Sequence, residues 1–319
     1  DYLLEIGLNA EEIVSLLLTL SGLPSSLEGL VVILHSNDVH GNIMGYSQMA
    51  ALRDAFESLG AEVILADAGD YSQGTTYVST TKGADAIEMM NVAGYDVATL
   101  GNHEFDYGYP QLKENLSKAD FAVLCANVLE NGKNAFQSNT IIEKDGVKIG
   151  FAGIRESMWH QNRATMTNEI KALKKAGCDY IVYACHWGTE YAENHNDIQK
   201  LMATYAIDAG ADCVIGTHPH VVQGVEVYNG KPIFYSLGNF VFGGNLNPTD
   251  YDGLVVQLTL HFDHQVCDDV QARLIPILTS GVQDGTTNFQ PVMAEGEEKD
   301  RILNRIQQDS PVEISEIMT

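Results

Sequence analysis

The chain has 319 residues, of which 45% are hydrophobic and 8 are proline, so it can form a globular core of the size of one α/β domain. Its formal net charge of −25 repels DNA, RNA and anionic lipid, which argues against a partner of the nucleic-acid polymer class. The same charge repels free phosphate esters, so a site for them needs local positive charge, which bound metal ions could supply.

The first residues form a segment of their own. Apolar residues within 1–22 recur at helical spacing, and the stretch "SGLPSS" then interrupts the pattern. We expect an N-terminal helical extension over residues 1–30, packed on a main domain over residues 31–319.

From Val31 onward, short apolar runs alternate with helical patterns. The predicted strands are "VVILHS", "EVILADAGD", "DVATLGNH", "FAVLCANV", "GVKIGFAGI", "DYIVYACHWG" and "DCVIGTHPH". The predicted helices between them are "SQMAALRDAFESLG", "GADAIEMMNVAGY", "YPQLKENLSKA", "MTNEIKALKKAG" and "DIQKLMATYAIDAGA". This alternation predicts an α/β fold with a largely parallel sheet.

The alternation stops after His220. The pair Asn229-Gly230 is a strong signal for a two-residue hairpin turn. The runs "GLVVQLTLHF" and "QARLIPILTS" predict two further strands, and "GEEKDRILNRIQQDS" predicts a final helix. The pattern shows no repeat or long linker.

The cysteines and the apolar runs indicate in which cellular compartment the protein is expected. The five cysteines have no CxxC spacing, and Cys125, Cys185 and Cys213 lie in runs typical of buried strands, so we expect reduced core thiols. No apolar run reaches the roughly 20 residues that a transmembrane helix needs, and "IVSLLLTL" is not preceded by the basic region of a signal peptide. Reduced thiols favour a cytoplasmic location.

Polar side chains follow five of the predicted strands. In an open α/β sheet, ligands bind outside the carboxyl ends of the strands. Asp38 and His40 are two residues apart, so an extended chain would direct them to the same side. The other four strands deliver Asp67 and Asp70, Asn102 and His103, His186, and His218 and His220. Carboxylate, imidazole and amide ligands suit two divalent ions of the Mn, Fe, Co, Zn or Mg type.

Each of these motifs also has an ordinary structural explanation. The GNHE stretch could be a turn with a helix cap, and the HPH stretch could be a pair of loop histidines. The joint occurrence of five motifs, each at the end of an apolar strand, favours a metal centre.

Asp67 is expected to cap its loop or to orient a ligand. We expect His35 in the core or behind a metal ligand, and surface positions for His160, His195, His261 and His264.

The motifs resemble those of the calcineurin-like metallophosphoesterases: D-x-H, G-D, G-N-H-[DE], H and [GT]-H-x-H. Residues 33–154 are similar to bacterial 5'-nucleotidases in "ILHSNDVHGN", "DAGDYSQGT", "TLGNHEFDYG" and "LCANV". From Tyr180, "HWGTEY" and "DAGADCVIGTHPHVVQGVEVYNGKPIFYSLGNFVFG" are similar to CapA-like poly-γ-glutamate capsule-biosynthesis proteins. The change near residues 155–170 would suit a natural hybrid branch or an engineered chimera. Relatives of both branches are often exported, so the resemblance implies a bacterial protein outside the cytoplasm, whereas the cysteines favour the cytoplasm.

The resemblance implies a four-layer α/β/β/α sandwich with two divalent metal ions at its centre. The implied ligands of one ion are Asp38, His40, Asp70 and His220. The implied ligands of the other are Asp70, Asn102, His186 and His218, with Asp70 bridging both. His103 would assist the leaving group, and Asp106 would accept a hydrogen bond from its other ring nitrogen.

The resemblance also implies an activity. A metal-dependent phosphoric ester hydrolase would use a metal-bridging hydroxide to cleave phosphate monoesters, most simply nucleotides. The alternatives are a CapA-like cell-surface protein acting in poly-γ-glutamate capsule synthesis, release or transfer, and a protein that retains only the fold. The nucleotidases carry a further C-terminal domain that holds the base, whereas the residues after His220 follow the other branch. Arg155, Glu190 and Asn239 are candidates for lining the substrate cleft.

Overall fold

The structure, a computed structural model, describes residues 27–155, 159–244, 246–263 and 266–318. The helix predicted within residues 1–22 lies outside these ranges, so the division into an extension over 1–30 and a domain over 31–319 stays a prediction. Among the described helices, none has the length and hydropathy to cross a membrane.

The fold is built from strands and helices that mostly alternate along the chain. The strands are β1 (Leu30–Ser36), β2 (Glu62–Asp67), β3 (Val97–Thr99), β4 (Ala122–Leu124), β5 (Leu129–Glu130), β6 (Lys133–Asn134), β7 (Asn139–Lys144), β8 (Val147–Arg155), β9 (Tyr180–His186), β10 (Cys213–Thr217), β11 (Val225–Tyr228), β12 (Lys231–Phe234), β13 (Asp252–Asp263), β14 (Val266–Leu278), β15 (Val292–Met293) and β16 (Ile317–Met318). The helices are α1 (Ile43–Ser58), α2 (Thr76–Thr80), α3 (Ala84–Ala93), α4 (Tyr109–Leu116), α5 (Trp159–Lys175), α6 (Asp197–Ala209) and α7 (Gly296–Gln308).

Two large sheets carry most of these strands. The first has the order β15-β14-β13-β1-β2-β3-β4, with β16 paired to β14, and the second has the order β11-β12-β10-β9-β8-β7. Strands β1 to β4 are parallel to one another, and so are β8, β9, β10 and β12. The antiparallel additions, β13 and β14 in one sheet and β7 and β11 in the other, lie toward the edges.

Strand β1 shows why the two sheets pack face to face between layers of helices. Successive side chains of a strand point to opposite faces, and both faces of β1 are apolar. Val32 and Leu34 belong to a core cluster shared with helices α1 and α3. Val31 and Ile33 belong to a second cluster, which joins β1 to β8, β9 and β10 of the other sheet. A third cluster packs α5 and α6 on the far side, which completes the predicted α/β/β/α sandwich.

The elements after His220 also follow the prediction. Strands β11 and β12 pair antiparallel with Tyr228 opposite Lys231, so Asn229 and Gly230 form a two-residue turn, with φ values of 50° and 75°. The final helix α7 buries Ile302 and Ile306 in the cluster between the sheets. The structure adds the β5–β6 hairpin, strand β7 and the short helix α2, whose sequences carry weak periodicity.

Candidate metal centre

Polar loops leave the carboxyl ends of β1, β2 and β3 in one sheet and of β9 and β10 in the other. The loop residues Asp38, His40, Asp70, His218 and His220 have φ values of 49°, 49°, 61°, 95° and 59°. This left-handed backbone costs a non-glycine residue roughly 1–2 kcal/mol. The extended geometry expected for the Asp38–His40 pair is therefore wrong, because tight turns bring these side chains together.

The loops bring the predicted ligands into two adjacent groups. In the first group, Asp38, His40, Asp70 and His220 each offer one ligand atom, and these atoms lie within 4.8 Å of one another. In the second, Asp70, His186 and His218 meet the same condition. Asn102 joins the second group, because its Oδ1 lies 3.0 Å from Nε2 of His186. Asp70 is common to both groups.

The donor set fits divalent cations. Four buried atoms, Oδ1 of Asp38, Nε2 of His40, Oδ2 of Asp70 and Nδ1 of His218, have no hydrogen-bond partner within the described residues. An unsatisfied buried polar atom costs about 1–3 kcal/mol, so four such atoms at one point need a ligand that interacts with all of them. Oxygen and imidazole donors at this density suit divalent ions.

The other ring nitrogen of three histidines is held in place. Nδ1 of His40 lies 3.0 Å from the carbonyl oxygen of Gln73, and Nδ1 of His186 lies 3.1 Å from that of Ala68. Nδ1 of His220 lies 2.9 Å from Oδ1 of Asn239. Such contacts fix the tautomer and the orientation of a ligating imidazole. Asn239 therefore lies behind His220 as its support, and it is 5% exposed.

The pKa values of the two histidines in the second group are shifted in opposite directions. Burial lowers the pKa of His186, but Oδ2 of Asp70, 3.2 Å away, raises it to about 9. Burial and the nearby His186 lower the pKa of His218 to about 4, which leaves that imidazole neutral at pH 7. Since only a neutral imidazole ligates a metal, an ion in this group has to displace the proton of His186.

His103 and Asp106 form a pair beside the two groups. Nδ1 of His103 lies 2.8 Å from Oδ2 of Asp106, and the His103 backbone N–H donates to Oδ1 of Asp70 at 2.8 Å. The His103 side chain is 29% exposed, and its ring meets that of His40 edge-on at 5.2 Å. Burial lowers the pKa of His103, but the hydrogen bond to Asp106 and nearby carboxylates raise it overall.

Glu104 is a candidate site residue that sequence reasoning missed. Its side chain is buried, and its two oxygens accept hydrogen bonds from the backbone of Asp70, Tyr71, Ser72 and Gly101 and from the Ser72 hydroxyl. Burial and Asp70 raise its pKa, and the backbone donors oppose that shift. Glu104 thus ties the loop of Asp70 to the loop of Asn102. The acidic position of the GNHE motif was the available signal.

Gly101 marks the closest approach of these loops. A Cβ atom there would lie 2.2 Å from Oδ1 of Asp70 and 2.7 Å from Cε1 of His186. A side chain would therefore displace residues of the second group. Asp67 caps the same region: its Oδ1 accepts from the backbone N–H of Gly69 at 2.8 Å.

Two residues that are candidates for binding the substrate, Arg155 and Glu190, lie at the rim of the metal centre. Arg155 ends β8 opposite His186, and its guanidinium carbon lies 4.4 Å from the ring centroid of Phe105, in the loop of His103. The exposed Glu190 offers a carboxylate oxygen within 4.8 Å of ligand atoms of His218 and His220.

The remaining histidines lie apart from the centre. The expected surface position of His195 is wrong: its side chain is 14% exposed, its Nδ1 lies 2.9 Å from Asp309, and its ring stacks on Tyr235 at 3.8 Å. The final segment of the chain covers His195, which local sequence does not reveal. His35 is buried, as expected, and His160 and His261 are exposed. His264 lies outside the described residues.

Comparison with known proteins adds family evidence to this geometry. The family model described as "Bacterial capsule synthesis protein PGA_cap" matches residues 45–244. It runs through residues 155–170, where the sequence resemblance changes.

Two relatives and one solved structure illustrate both resemblances. The capsule biosynthesis protein CapA of Bacillus anthracis is 28% identical over 78% of this chain and 62% of its own length. A 5'-nucleotidase of Diplobatis ommata is 29% identical over 63% of this chain and 38% of its own length. The chain thus spans less than two thirds of either relative.

The solved structure shows the fold. The crystal structure of the calcineurin-like phosphoesterase YfkN from Bacillus subtilis aligns with a TM-score of 0.59 at 22% identity, over 88% of this chain and 97% of that chain. The chain therefore shares the fold of a calcineurin-like phosphoesterase, and by the match over residues 45–244 it belongs to the bacterial capsule synthesis protein PGA_cap family.

Proposed function

We propose that this protein hydrolyses phosphate esters with two divalent metal ions, and that nucleotides are its simplest substrates. The observation that carries the proposal is the pair of ligand groups that share Asp70. Four of their buried atoms, on Asp38, His40, Asp70 and His218, have no hydrogen-bond partner within the described residues, which supports a centre built for cations.

The proposed ligands have separate tasks. Asp38, His40, Asp70 and His220 would hold one ion, and Asp70, Asn102, His186 and His218 the other. Bound divalent ions lower the pKa of water toward about 7 and neutralise phosphoryl oxygens. That local positive charge would overcome the repulsion of an anionic substrate by a chain of net charge −25.

His103 would act on the leaving group. When the ester bond to phosphorus breaks, its electron pair goes to the leaving oxygen, which needs a proton. The protonated His103 would supply it from Nε2, because Nδ1 is occupied by Asp106 at 2.8 Å. Asp106 would keep its charge and hold the ring orientation while the imidazole becomes neutral. General acid catalysis of this kind typically contributes about 10²–10⁴-fold.

Nucleotides are the substrates that we propose. Relatives that are 5'-nucleotidases support this choice, and the chain spans 38% of the length of the one from Diplobatis ommata. Arg155, which ends β8 opposite His186, is the candidate for contacting a phosphoryl oxygen.

A second candidate function is supported by the family match over residues 45–244. The relative named CapA is a capsule biosynthesis protein, so the same centre could act on poly-γ-glutamate, in synthesis, release or transfer. In release, water would attack the carbonyl carbon of a γ-linked amide, the carbon–nitrogen bond would break, and the protonated His103 would give its proton to the leaving amine nitrogen.

One panel of substrates separates the two functions. Protein reconstituted with Mn²⁺, Zn²⁺, Co²⁺ or Mg²⁺ is assayed with p-nitrophenyl phosphate, bis-p-nitrophenyl phosphate, AMP and poly-γ-glutamate. We expect release of phosphate from AMP with at least one metal, and its loss in His103→Asn but not in the exposed His160→Asn. Cleavage of poly-γ-glutamate without phosphate release from any ester would favour the second function.

A further inference from the structure

The loop after β9 lies over the turn that carries His218 and His220. It runs through Gly188, with a φ of 91°, and Tyr191, with a φ of 60°. The backbone N–H of Tyr191 donates to the carbonyl oxygen of Pro219 at 2.8 Å. This contact fixes Glu190 and Tyr191 at the edge of the second ligand group.

The same loop is also fixed at its far end. Oδ2 of Asp309 accepts hydrogen bonds from the backbone and from Nδ1 of His195, at 3.0 and 2.9 Å. Nε2 of Gln223 donates to the carbonyl oxygen of Ala192 at 2.8 Å. The loop is therefore held from both sides before any substrate arrives.

Glu190 presents an acceptor at this edge. Its carboxylate lies within 4.8 Å of ligand atoms of His218 and His220, and it is exposed. In the described ranges no hydrogen bond or ion pair engages it. An ionised carboxylate accepts hydrogen bonds only, so a group that binds here has to bring donors.

Tyr191 presents an aromatic surface next to Glu190. Its side chain is 55% exposed, and its ring centroid lies 5.8 Å from that of His220, with the planes tilted by 35°. A bulky residue with positive φ is a true outlier of backbone geometry. Strain of this kind persists where the surrounding structure holds it, and it is frequent at ligand sites.

We propose that Glu190 and Tyr191 form a ribonucleoside subsite of the metal centre. With a nucleotide phosphate at the ligand groups, the ribose hydroxyls are a few covalent bonds away, and Glu190 would accept hydrogen bonds from the vicinal pair. Tyr191 would stack on the base, an interaction that every base can make with an aromatic ring. The inference rests on the proposed hydrolysis of phosphate esters and names its substrate class.

The charge of Glu190 argues against a polyanionic occupant. A chain of γ-linked glutamate would bring carboxylates to a rim that carries the carboxylate of Glu190, whereas a ribose brings two neutral donors. The repulsion between Glu190 and the nucleotide's own phosphate is a cost that the proposed cations at the centre offset.

The test compares Glu190→Gln with Glu193→Gln, which removes the same charge from an exposed position in the same loop. We expect Glu190→Gln to reduce the preference for AMP over dAMP in kcat/KM by about tenfold, since a hydrogen bond to a charged group contributes about that factor. Glu193→Gln should leave the preference as in the parent. Adenosine binding to the metal-loaded protein, measured by calorimetry, should weaken only in Glu190→Gln.

The stacking role has its own pair of variants. Tyr191→Phe keeps the ring, and Tyr191→Asn removes it with a residue that tolerates positive φ. We expect Tyr191→Asn, but not Tyr191→Phe, to weaken adenosine binding and to raise KM for AMP relative to p-nitrophenyl phosphate.

Three results would overturn the subsite. A loss of bound metal in Glu190→Gln would make the residue a metal ligand. An equal increase of kcat/KM for AMP, dAMP and p-nitrophenyl phosphate in Glu190→Gln would show that Glu190 only repels anionic substrates. Equal adenosine affinity in parent and Glu190→Gln would leave it without a nucleoside contact. If no ester is hydrolysed by the parent, the proposed function fails, and adenosine binding alone decides the subsite.

Discussion

Replacing Glu104 by glutamine changes one atom in the middle of the metal loops. Oε1 of Glu104 accepts from the backbone N–H groups of Tyr71 and Ser72 and from the Ser72 hydroxyl, at 2.9, 3.1 and 3.1 Å. Oε2 accepts from the N–H groups of Asp70 and Gly101, at 2.9 and 2.7 Å. The amide of Glu104→Gln keeps one acceptor oxygen and introduces an NH₂ group that cannot accept.

The size of the effect follows from these contacts. If the glutamine oxygen takes the side with three donors, the N–H groups of Asp70 and Gly101 face an NH₂ group and lose their acceptor. Each unsatisfied buried donor costs about 1–3 kcal/mol, so we expect the free energy of unfolding to fall by about 2–6 kcal/mol. Typical domains have about 5–15 kcal/mol in total, so the loss would be large.

Urea denaturation measures this change, with Glu114→Gln as the control. Glu114 is exposed on α4, where its carboxylate has a weak contact with Gln111 at 3.5 Å, so its replacement should alter stability by less than about 0.5 kcal/mol. Metal content, measured by elemental analysis, should also fall in Glu104→Gln, because Asp70 and Asn102 lose their common anchor. Unchanged stability and metal content in Glu104→Gln would refute the anchoring role.

Further predictions address the centre itself. His103→Asn should retain its metal content and lower turnover of p-nitrophenyl phosphate by about 10²–10⁴-fold; parental turnover would exclude the proton-donor role. Asp70→Asn should lose metal from both groups and melt at a lower temperature, and full occupancy by elemental analysis would contradict the bridging role. Chelation should lower the melting temperature, because free metal at a thousand times its dissociation constant stabilises by about 4 kcal/mol; calorimetry with and without metal measures this.

The alternation of strands and helices predicts an α/β fold and the sheet edge at which the polar residues lie, and the family resemblance adds the four layers. Strand β1 is apolar on both faces, and a run of that kind is typical of a parallel strand buried between two layers. Asp38 and Asp70 each follow such a run, so the parallel pairing of β1 and β2 is enough to bring them to one edge of their sheet. His186 ends β9 in the other sheet, so its position beside Asp70 also depends on how the two sheets pack against each other.

The local geometry could not be predicted in the same way. The left-handed backbone of Asp38 and His40 results from contacts with other loops, such as the hydrogen bond from the backbone N–H of His40 to the carbonyl oxygen of Asp70 at 2.9 Å. His195 depends on Asp309, more than a hundred residues away along the chain. Both features arise from long-range contacts, which periodicity and spacing do not record.

The positive φ angles at Asp38, His40, Asp70, His218 and His220 limit how this centre could be transplanted. Glycine would relax the backbone at each position but would remove the donor atom, and a strand end with ordinary dihedrals would direct the same side chains elsewhere. A designer who copies the residue types onto another parallel sheet would therefore obtain the composition of the centre without its shape. The unit to graft is the set of turns, together with the carboxylate of Glu104 that connects two of them.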